Sequence, residues 1–285
     1  MSQPNRQQVE RGALFRALHE DDGLFVLGNA WDVASALLLE ELGFPAIGTT
    51  SLGIAAAHGL PDGADQSAAY SLQAAQRIAA ALRVPLSIDL ERGSDPDLRS
   101  IDRSIQAVIA TGAVGVNLED GIDEPGRALE SLERQTARIE RARQAADETG
   151  VPFTINARTD VYWLKVAQGQ HALDEALRRA HAYRRAGADC IFVPGAVDAE
   201  VVRTLVRELD APLNVLLTPG LPAIATLKEL GVRRLSLGSA PYRRAMAATR
   251  DAARALLEEG RNDELLAGIP YAEINALAQR TKPAL

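Results

Sequence analysis

Residues 172–194 read ALDEALRRAHAYRRAGADCIFVP. Leu173, Ala176, Leu177 and Ala180 recur at helical spacing and mark an apolar stripe. Gly187 stands where a helix C-cap takes a left-handed residue. A short apolar run, 190–194, follows and reads as a buried strand. The same stop, a glycine shortly before an apolar run, recurs at Gly43, Gly112, Gly150 and Gly231.

Working outward, eight such runs read as strands: 24–29, 45–50, 85–90, 114–119, 152–158, 190–194, 213–218 and 233–238. Helix-patterned stretches separate them. Strand then helix, repeated, requires right-handed crossovers and a parallel sheet. Eight units predict an α/β fold of the closed (β/α)8 TIM-barrel type. The alternative, an open doubly wound sheet, usually has fewer strands, and no Gly-x-Gly-x-x-Gly follows any run here. An N-terminal helix over 7–18 precedes the first strand. A helical tail over 259–285 follows the last unit, with residues 272–279 amphipathic. No linker or low-complexity stretch divides the chain, so 1–285 reads as one barrel domain.

Composition narrows the function. The 31 Lys and Arg against 38 Asp and Glu leave a net charge of −7 in 285 residues. That balance argues against a nucleic-acid or anionic-membrane binder. No apolar run approaches a membrane span, and the polar start lacks a signal-peptide core, so cytoplasm is the expected compartment. A lone cysteine, Cys190, excludes an intramolecular disulfide and reads as a space-filler. His19, His58, His171 and His181 form no metal-spaced pair, and His58 alone is placed near the mouth.

In such a barrel the active site forms at the C-terminal ends of the strands. Side chains alternate along a strand. Ser87, Asp89 and Glu91 therefore share one face, Asn117 and Glu119 another, and Thr154, Asn156 and Arg158 a third. Three neighbouring strands thus carry polar sets where a structural core would hold Val, Ile or Leu. Asp89, Glu91 and Glu119 crowd three carboxylates into one mouth, an arrangement suited to a hard divalent cation. Oxygen donors without His or Cys favour Mg²⁺ or Mn²⁺. The other reading pairs these acids with Arg92, Arg158 or lysines at the rim. Arg158 reads as a clamp for a substrate anion, or as an internal partner of Glu119 or Asp160. The turn Thr50-Ser51-Leu52 can hold an oxyanion, and Asp62 is either a turn acid or part of the site.

Taken in order, these pieces resemble the isocitrate lyase/phosphoenolpyruvate mutase superfamily: Asn29-Ala30-Trp31-Asp32, Thr50-Ser51-Leu52-Gly53, Gly59-Leu60-Pro61-Asp62, Asp89-Leu90-Glu91-Arg92-Gly93, Asn117-Leu118-Glu119-Asp120 and Asn156-Ala157-Arg158-Thr159-Asp160. The resemblance covers roughly residues 28–244. It implies a (β/α)8 barrel, assembled as a homo-oligomer (dimer or tetramer), with the tail packing on a neighbouring subunit. It implies Mg²⁺ (or Mn²⁺) bound directly by Asp89, with Glu91, Glu119 and Asp62 holding its waters. It also implies a small 2-oxo acid gripped by Arg158, with Thr50, Ser51, Leu52 and Asn156 in the substrate site and Asp62 and Arg158 the catalytic pair.

The departures bear on the reaction. Superfamily lyases carry a Cys-containing Lys-Lys-Cys-Gly-His or Lys-Arg-Cys-Gly-His loop after the fourth strand. Here residues 119–127 read EDGIDEPGR, without Cys, His or Lys. The mutase Lys and Asn-Ser loop is absent too, and Gly93-Ser94-Asp95 replaces the usual Gly-Tyr-Gly or Gly-Phe-Gly. Decarboxylation of an oxaloacetate-like acid needs a metal-stabilised enolate but no elaborate acid/base loop. The expected activity is therefore a metal-dependent carbon–carbon lyase acting on a 2-oxo or 2-hydroxy dicarboxylic acid. Methylisocitrate-type retro-aldol cleavage, phosphonopyruvate-type P–C chemistry and a non-catalytic 2-oxo acid binder are the alternatives.

Overall fold

A computed structural model of the protein describes residues 5–64, 67–91, 98–124 and 127–280. Arg92, Gly93, Ser94 and Asp95, in the altered loop after Glu91, lie outside them. The strands are β1 (Phe25–Ala30), β2 (Ile47–Thr49), β3 (Leu86–Asp89), β4 (Gly115–Glu119), β5 (Gly121–Glu124), β6 (Arg127–Leu129), β7 (Thr154–Arg158), β8 (Cys190–Phe192), β9 (Leu213–Leu216) and β10 (Arg234–Ser236). The helices are α1 (Arg6–Glu20), α2 (Val33–Glu41), α3 (Ser51–Ala57), α4 (Ser67–Ala81), α5 (Leu98–Ala110), α6 (Leu132–Asp147), α7 (Gly169–Arg185), α8 (Ala199–Glu208), α9 (Ile224–Glu229), α10 (Ala240–Glu259), α11 (Asp263–Leu266) and α12 (Tyr271–Gln279).

Strands β1, β2, β3, β4, β7, β8, β9 and β10 pair in parallel and close into a barrel, with β10 returning to β1. Each lies within a run expected to be a strand or one residue beyond it. The expected runs overshoot at one or both ends, where flanking residues such as Val114, Val193, Leu217 and Leu237 still hydrogen-bond to a neighbouring strand but lie beyond the regular ladder. The glycine stops hold as well: Gly43, Gly112, Gly150, Gly187 and Gly231 have φ of 89°, 96°, 71°, 103° and 87°, which side chains disfavour.

Helix α1 closes the N-terminal end of the barrel. Its Phe15 is fully buried and stacks edge-on against Phe25 of β1, centroids 6.3 Å apart. Burying such a ring contributes roughly 1.5–3 kcal/mol. His19 packs between the two rings and donates from Nδ1 to the Phe15 carbonyl at 2.8 Å. Burial first, then the Arg234 charge, pushes this imidazole down to about 3, so it is a neutral core residue. Gly12 is required here: a Cβ would stand 2.2 Å from the Pro152 carbonyl oxygen.

One feature falls outside the expected pattern. Strands β5 and β6 form an antiparallel hairpin after β4. The tail folds into α11 and α12, and α12 packs on α2 of the same chain with Leu277 buried and Arg280 3.7 Å from Glu41. Leu265, Leu266, Ile269, Tyr271 and Ile274 of that region remain exposed. Among the described residues no helix is long and apolar enough to cross a membrane.

Candidate active site

The C-terminal ends of β2, β3, β4 and β7 carry the expected polar residues to one mouth. Register sets them level: Asp89 pairs with Asn117, Asn117 with Asn156, and Glu119 with Arg158. Gly48 of β2 faces the interior, where a Cβ would lie 2.7 Å from Leu27 Cδ2 and 2.9 Å from Asn29 Nδ2. Its absent side chain leaves room for the Asn29 amide. Asn29 donates to the Thr49 carbonyl at 2.8 Å, and its Oδ1 accepts from the N–H groups of Leu237 and Gly238 at 2.9 Å each. Three strands are thereby stitched together at the mouth.

Asp89 ends β3, its N–H donating to Thr49 Oγ1 at 2.8 Å. Its Oδ1 is buried with no hydrogen-bond partner among the described residues. Glu91 is not placed by strand alternation. The strand has ended, and Glu91 adopts φ 54°, a left-handed conformation rare for a non-glycine residue and commonest at functional sites. This turn sends the carboxyl to Ser51 and Asp62, with which it hydrogen-bonds. Asp62 lies on an exposed turn, so the contact with Glu91 is what joins it to the site. Thr50 caps α3, its Oγ1 accepting from the Gly53 N–H at 3.5 Å, and both Thr50 and Ser51 are buried. Leu52 is half-buried beside them.

Arg158 makes both ion pairs that the sequence left as the alternative to a clamp. Its Nη1 lies 2.8 Å from Glu119 Oε2 and its Nε 2.7 Å from Asp160 Oδ1. The guanidinium carbon sits 5.7 Å from the centroid of the Phe192 ring. A guanidinium carries five donors, and these pairs use Nε and Nη1. Asn156 is fully buried and donates from Nδ2 to Asn117 Oδ1 at 2.7 Å.

Glu91, Glu119 and Asp160 are held against ionisation. Burial, then the charges of Asp89 and Asp62, pushes Glu91 up to about 7, with the Ser51 hydrogen bond opposing. Burial also pushes Glu119 up to about 8, despite Arg158, with Asp160, Asp89 and Glu91 adding to the rise. Asp160 is raised by burial, with Arg158 opposing. In the unfolded chain such groups ionise near 4.5. The folded protein therefore keeps protons that the unfolded chain releases between that value and about 8. The associated stability is complete below about 4.5 and is lost as pH rises through 7 to 8. In EDTA the melting temperature is expected to fall from pH 6 to pH 8.5, and Glu91→Gln to flatten that fall. Equal slopes for both proteins would exclude Glu91 as a source.

Two buried charges are not apparent in the sequence. Asp120 points away from the barrel interior and is fully buried. Its Oδ2 accepts from Tyr183 at 2.6 Å and Arg179 Nη1 at 3.1 Å, and its Oδ1 accepts from the Asp160 N–H at 2.8 Å. It thus anchors α7 and the Asp160 turn to the end of β4. Arg234 lies inside the barrel and is likewise fully buried. Other candidates serve the fold. His58 donates from Nδ1 to the Ile54 carbonyl of its own helix at 2.9 Å and stacks on Tyr70. Cys190 is buried, which pushes its thiol up to about 12. Among the described residues no three His, Cys, Asp or Glu side chains converge, as placed, into a metal cage.

The segment after β4 is the hairpin β5–β6; residues 125–126 lie outside the described residues. Gly121 opens it under steric constraint, since a Cβ there would lie 2.4 Å from Asp160 Oδ2.

The chain matches the phosphoenolpyruvate phosphomutase family over residues 15–257. It is 40% identical over 265 residues to an uncharacterized protein of Mycobacterium tuberculosis, covering 92% of this chain and 95% of that one. It is 29% identical over 239 residues to the 2-methylisocitrate lyase of Escherichia coli, covering 81% and 78% of the two chains. A crystal structure from Burkholderia cenocepacia, provisionally assigned as a lyase/mutase, superposes with a TM-score of 0.90 at 33% identity, covering 98% of each chain.

Proposed function

Since the chain belongs to the phosphoenolpyruvate phosphomutase family, within the isocitrate lyase/phosphoenolpyruvate mutase superfamily, we propose that it is a divalent-metal-dependent carbon–carbon lyase for a small 2-oxo dicarboxylic acid. The observation that carries this reading is the acid cluster at the barrel mouth, where Asp89 Oδ1 and Glu91 Oε1 are buried without partners among the described residues, beside Arg158. Hard oxygen donors so placed fit Mg²⁺ or Mn²⁺. Mg²⁺ keeps several waters, so it does not need a cage of three protein ligands. Asp89 would bind the ion directly, and Glu91, Glu119 and Asp62 would hold it through water. When bound, the ion supplies a sink for the negative charge that develops on the 2-oxo oxygen as the carbon–carbon bond breaks.

The chain's own residues orient the acid. Arg158, held protonated by Glu119 and Asp160, presents its remaining donors to a carboxylate. Asn156 and the Thr50-Ser51-Leu52 turn line the same end of the barrel. The hairpin that follows β4 has no Cys, His or Lys, which favours expulsion of CO2 over chemistry needing a loop acid/base group. Retro-aldol cleavage is the second reading, favoured by the likeness to 2-methylisocitrate lyase. The exposed apolar residues of α11 and α12 support assembly with a second copy through the tail.

The test is a substrate panel with Mg²⁺: oxaloacetate, 2-methylisocitrate, isocitrate, phosphonopyruvate and 4-hydroxy-2-oxo acids, assayed for keto-acid release. Turnover of an oxo-diacid, abolished by EDTA, is the expected result. No turnover, with 2-oxo acids still raising the melting temperature in Mg²⁺, would leave a binding protein. Because Glu91 and Glu119 would have to shed their protons to hold a cation, Mg²⁺ should raise the melting temperature more at pH 8.5 than at pH 6. An equal rise at both pH values would remove these two residues from the metal site.

A further inference from the structure

Arg234 occupies a position where a barrel built only for stability would place an aliphatic side chain. It is 0% exposed and makes no ion pair with a carboxylate among the described residues. Its hydrogen bonds go to neutral groups: Nε to Ser236 Oγ at 3.1 Å and Nη2 to Asn117 Oδ1 at 3.4 Å. Among the described residues Nη1 has no partner, and the guanidinium carbon lies 5.9 Å from the centroid of the Phe15 ring. Removing a guanidinium from water without a counter-charge is costly. That cost falls directly beneath the mouth. Asn117, which accepts from Arg234, also accepts from Asn156 and is in register with Asp89. Around it Ser87 Oγ, Thr154 Oγ1, Asn156 Oδ1 and Asn214 Nδ2 are also buried and unpartnered. The barrel interior is thus polar through the layer that joins Arg234 to the acid cluster.

Among the described residues the mouth is short of positive charge. Asp62, Asp89, Glu91, Glu119 and Asp160 face it, and Arg158 is the cation paired among them. We propose that Arg234 is a positioning residue for the anionic substrate: its unneutralised charge, conveyed through Asn117, offsets the acid cluster and sets affinity for the dicarboxylate that binds beside the metal. It also fixes the Asn117 oxygen toward the interior, which in turn orients the Asn156 amide. The proposal rests on the metal and 2-oxo acid reading of the site and adds a residue to it.

The consequence is a split in sign. A buried positive charge repels a cation and attracts an anion. For charges roughly 10 Å apart at an effective dielectric of about 20, losing one such charge changes affinity about tenfold. Arg234→Met should therefore bind Mn²⁺ alone as tightly as wild type or more tightly. It should bind oxalate in the presence of Mg²⁺ about tenfold more weakly. Arg234→Lys should recover most of the oxalate affinity. Calorimetric titration reads each constant, and thermal melting reads the fold. Arg234→Met is expected to melt at or above the wild-type temperature, because an apolar side chain replaces an unpaired buried charge. Equal weakening of both ligands, unchanged oxalate binding, or a lower melting temperature with no split would overturn the proposal and make Arg234 structural. Failure of wild type itself to bind Mn²⁺ and oxalate is a separate result, which would overturn the metal reading and this proposal with it.

Discussion

Asp89→Ala is expected to lower kcat/KM for the 2-oxo acid turned over by the protein roughly 10³-fold, about 4 kcal/mol of transition-state stabilisation. Asp89 is the carboxylate at the end of β3 with a buried oxygen that has no partner among the described residues, and it would be the direct ligand of the cation. Its removal takes away the charge sink, whereas removing a group that acts through water typically costs 10- to 100-fold. Glu91→Gln and Glu119→Gln should therefore fall between Asp89→Ala and wild type. The fold should survive. The Asp89 N–H that bonds Thr49 Oγ1 is backbone and is kept, and the change relieves carboxylate repulsion on Glu91 and Glu119. Steady-state kinetics with Mg²⁺ held in excess, beside a thermal melt in EDTA, separates the two effects. Activity within tenfold of wild type would remove Asp89 from the metal site.

The largest effect on stability is expected at Asp120. Asp120→Ala should cost about 3–5 kcal/mol, because it removes the buried carboxylate from Arg179 Nη1 and leaves the guanidinium only Glu175, on Nε. Tyr183 loses its acceptor as well, and the Asp160 N–H loses its bond to Oδ1. The site should feel the change, since Asp160 holds Arg158 through Nε. Asp120→Asn keeps the shape and one acceptor and should cost less. Urea titration gives the number directly. A loss under about 1 kcal/mol would show that Arg179 is sustained by Glu175 and the Glu130 carbonyl instead.

Much of this architecture is legible from local pattern. Parallel strands buried on both faces read as continuous apolar runs, and a glycine at each helix end marks the return to the sheet. Strand parity alone brought Asp89, Asn117, Glu119, Asn156 and Arg158 to the mouth, because alternation is a property of the backbone. Glu91 and Asp62 were less legible. Their meeting depends on a left-handed turn and a loop whose geometry no periodicity encodes. The hairpin β5–β6 was not read at all, since its two short strands are interrupted by Pro125-Gly126 and carry a weak alternation.

Residues whose meaning depends on distant partners were invisible. Asp120 has the parity of a residue facing the helices and so reads as solvated, yet its partners Arg179 and Tyr183 come from α7, 59 and 63 residues away. Arg233 and Arg234 show the limit most plainly. In sequence they are two adjacent arginines at the start of a strand. In the fold Arg233 reaches outward to Asp22 at 2.8 Å, while Arg234 is sealed inside the barrel over Phe15. The sequence by itself determined the barrel, its open end and most of the acids and the arginine at that end, because periodicity and handedness act residue by residue. The tertiary structure decided which charges are paired, which are buried alone and which amide faces which neighbour, because those follow from closing the sheet on itself and excluding water from its interior.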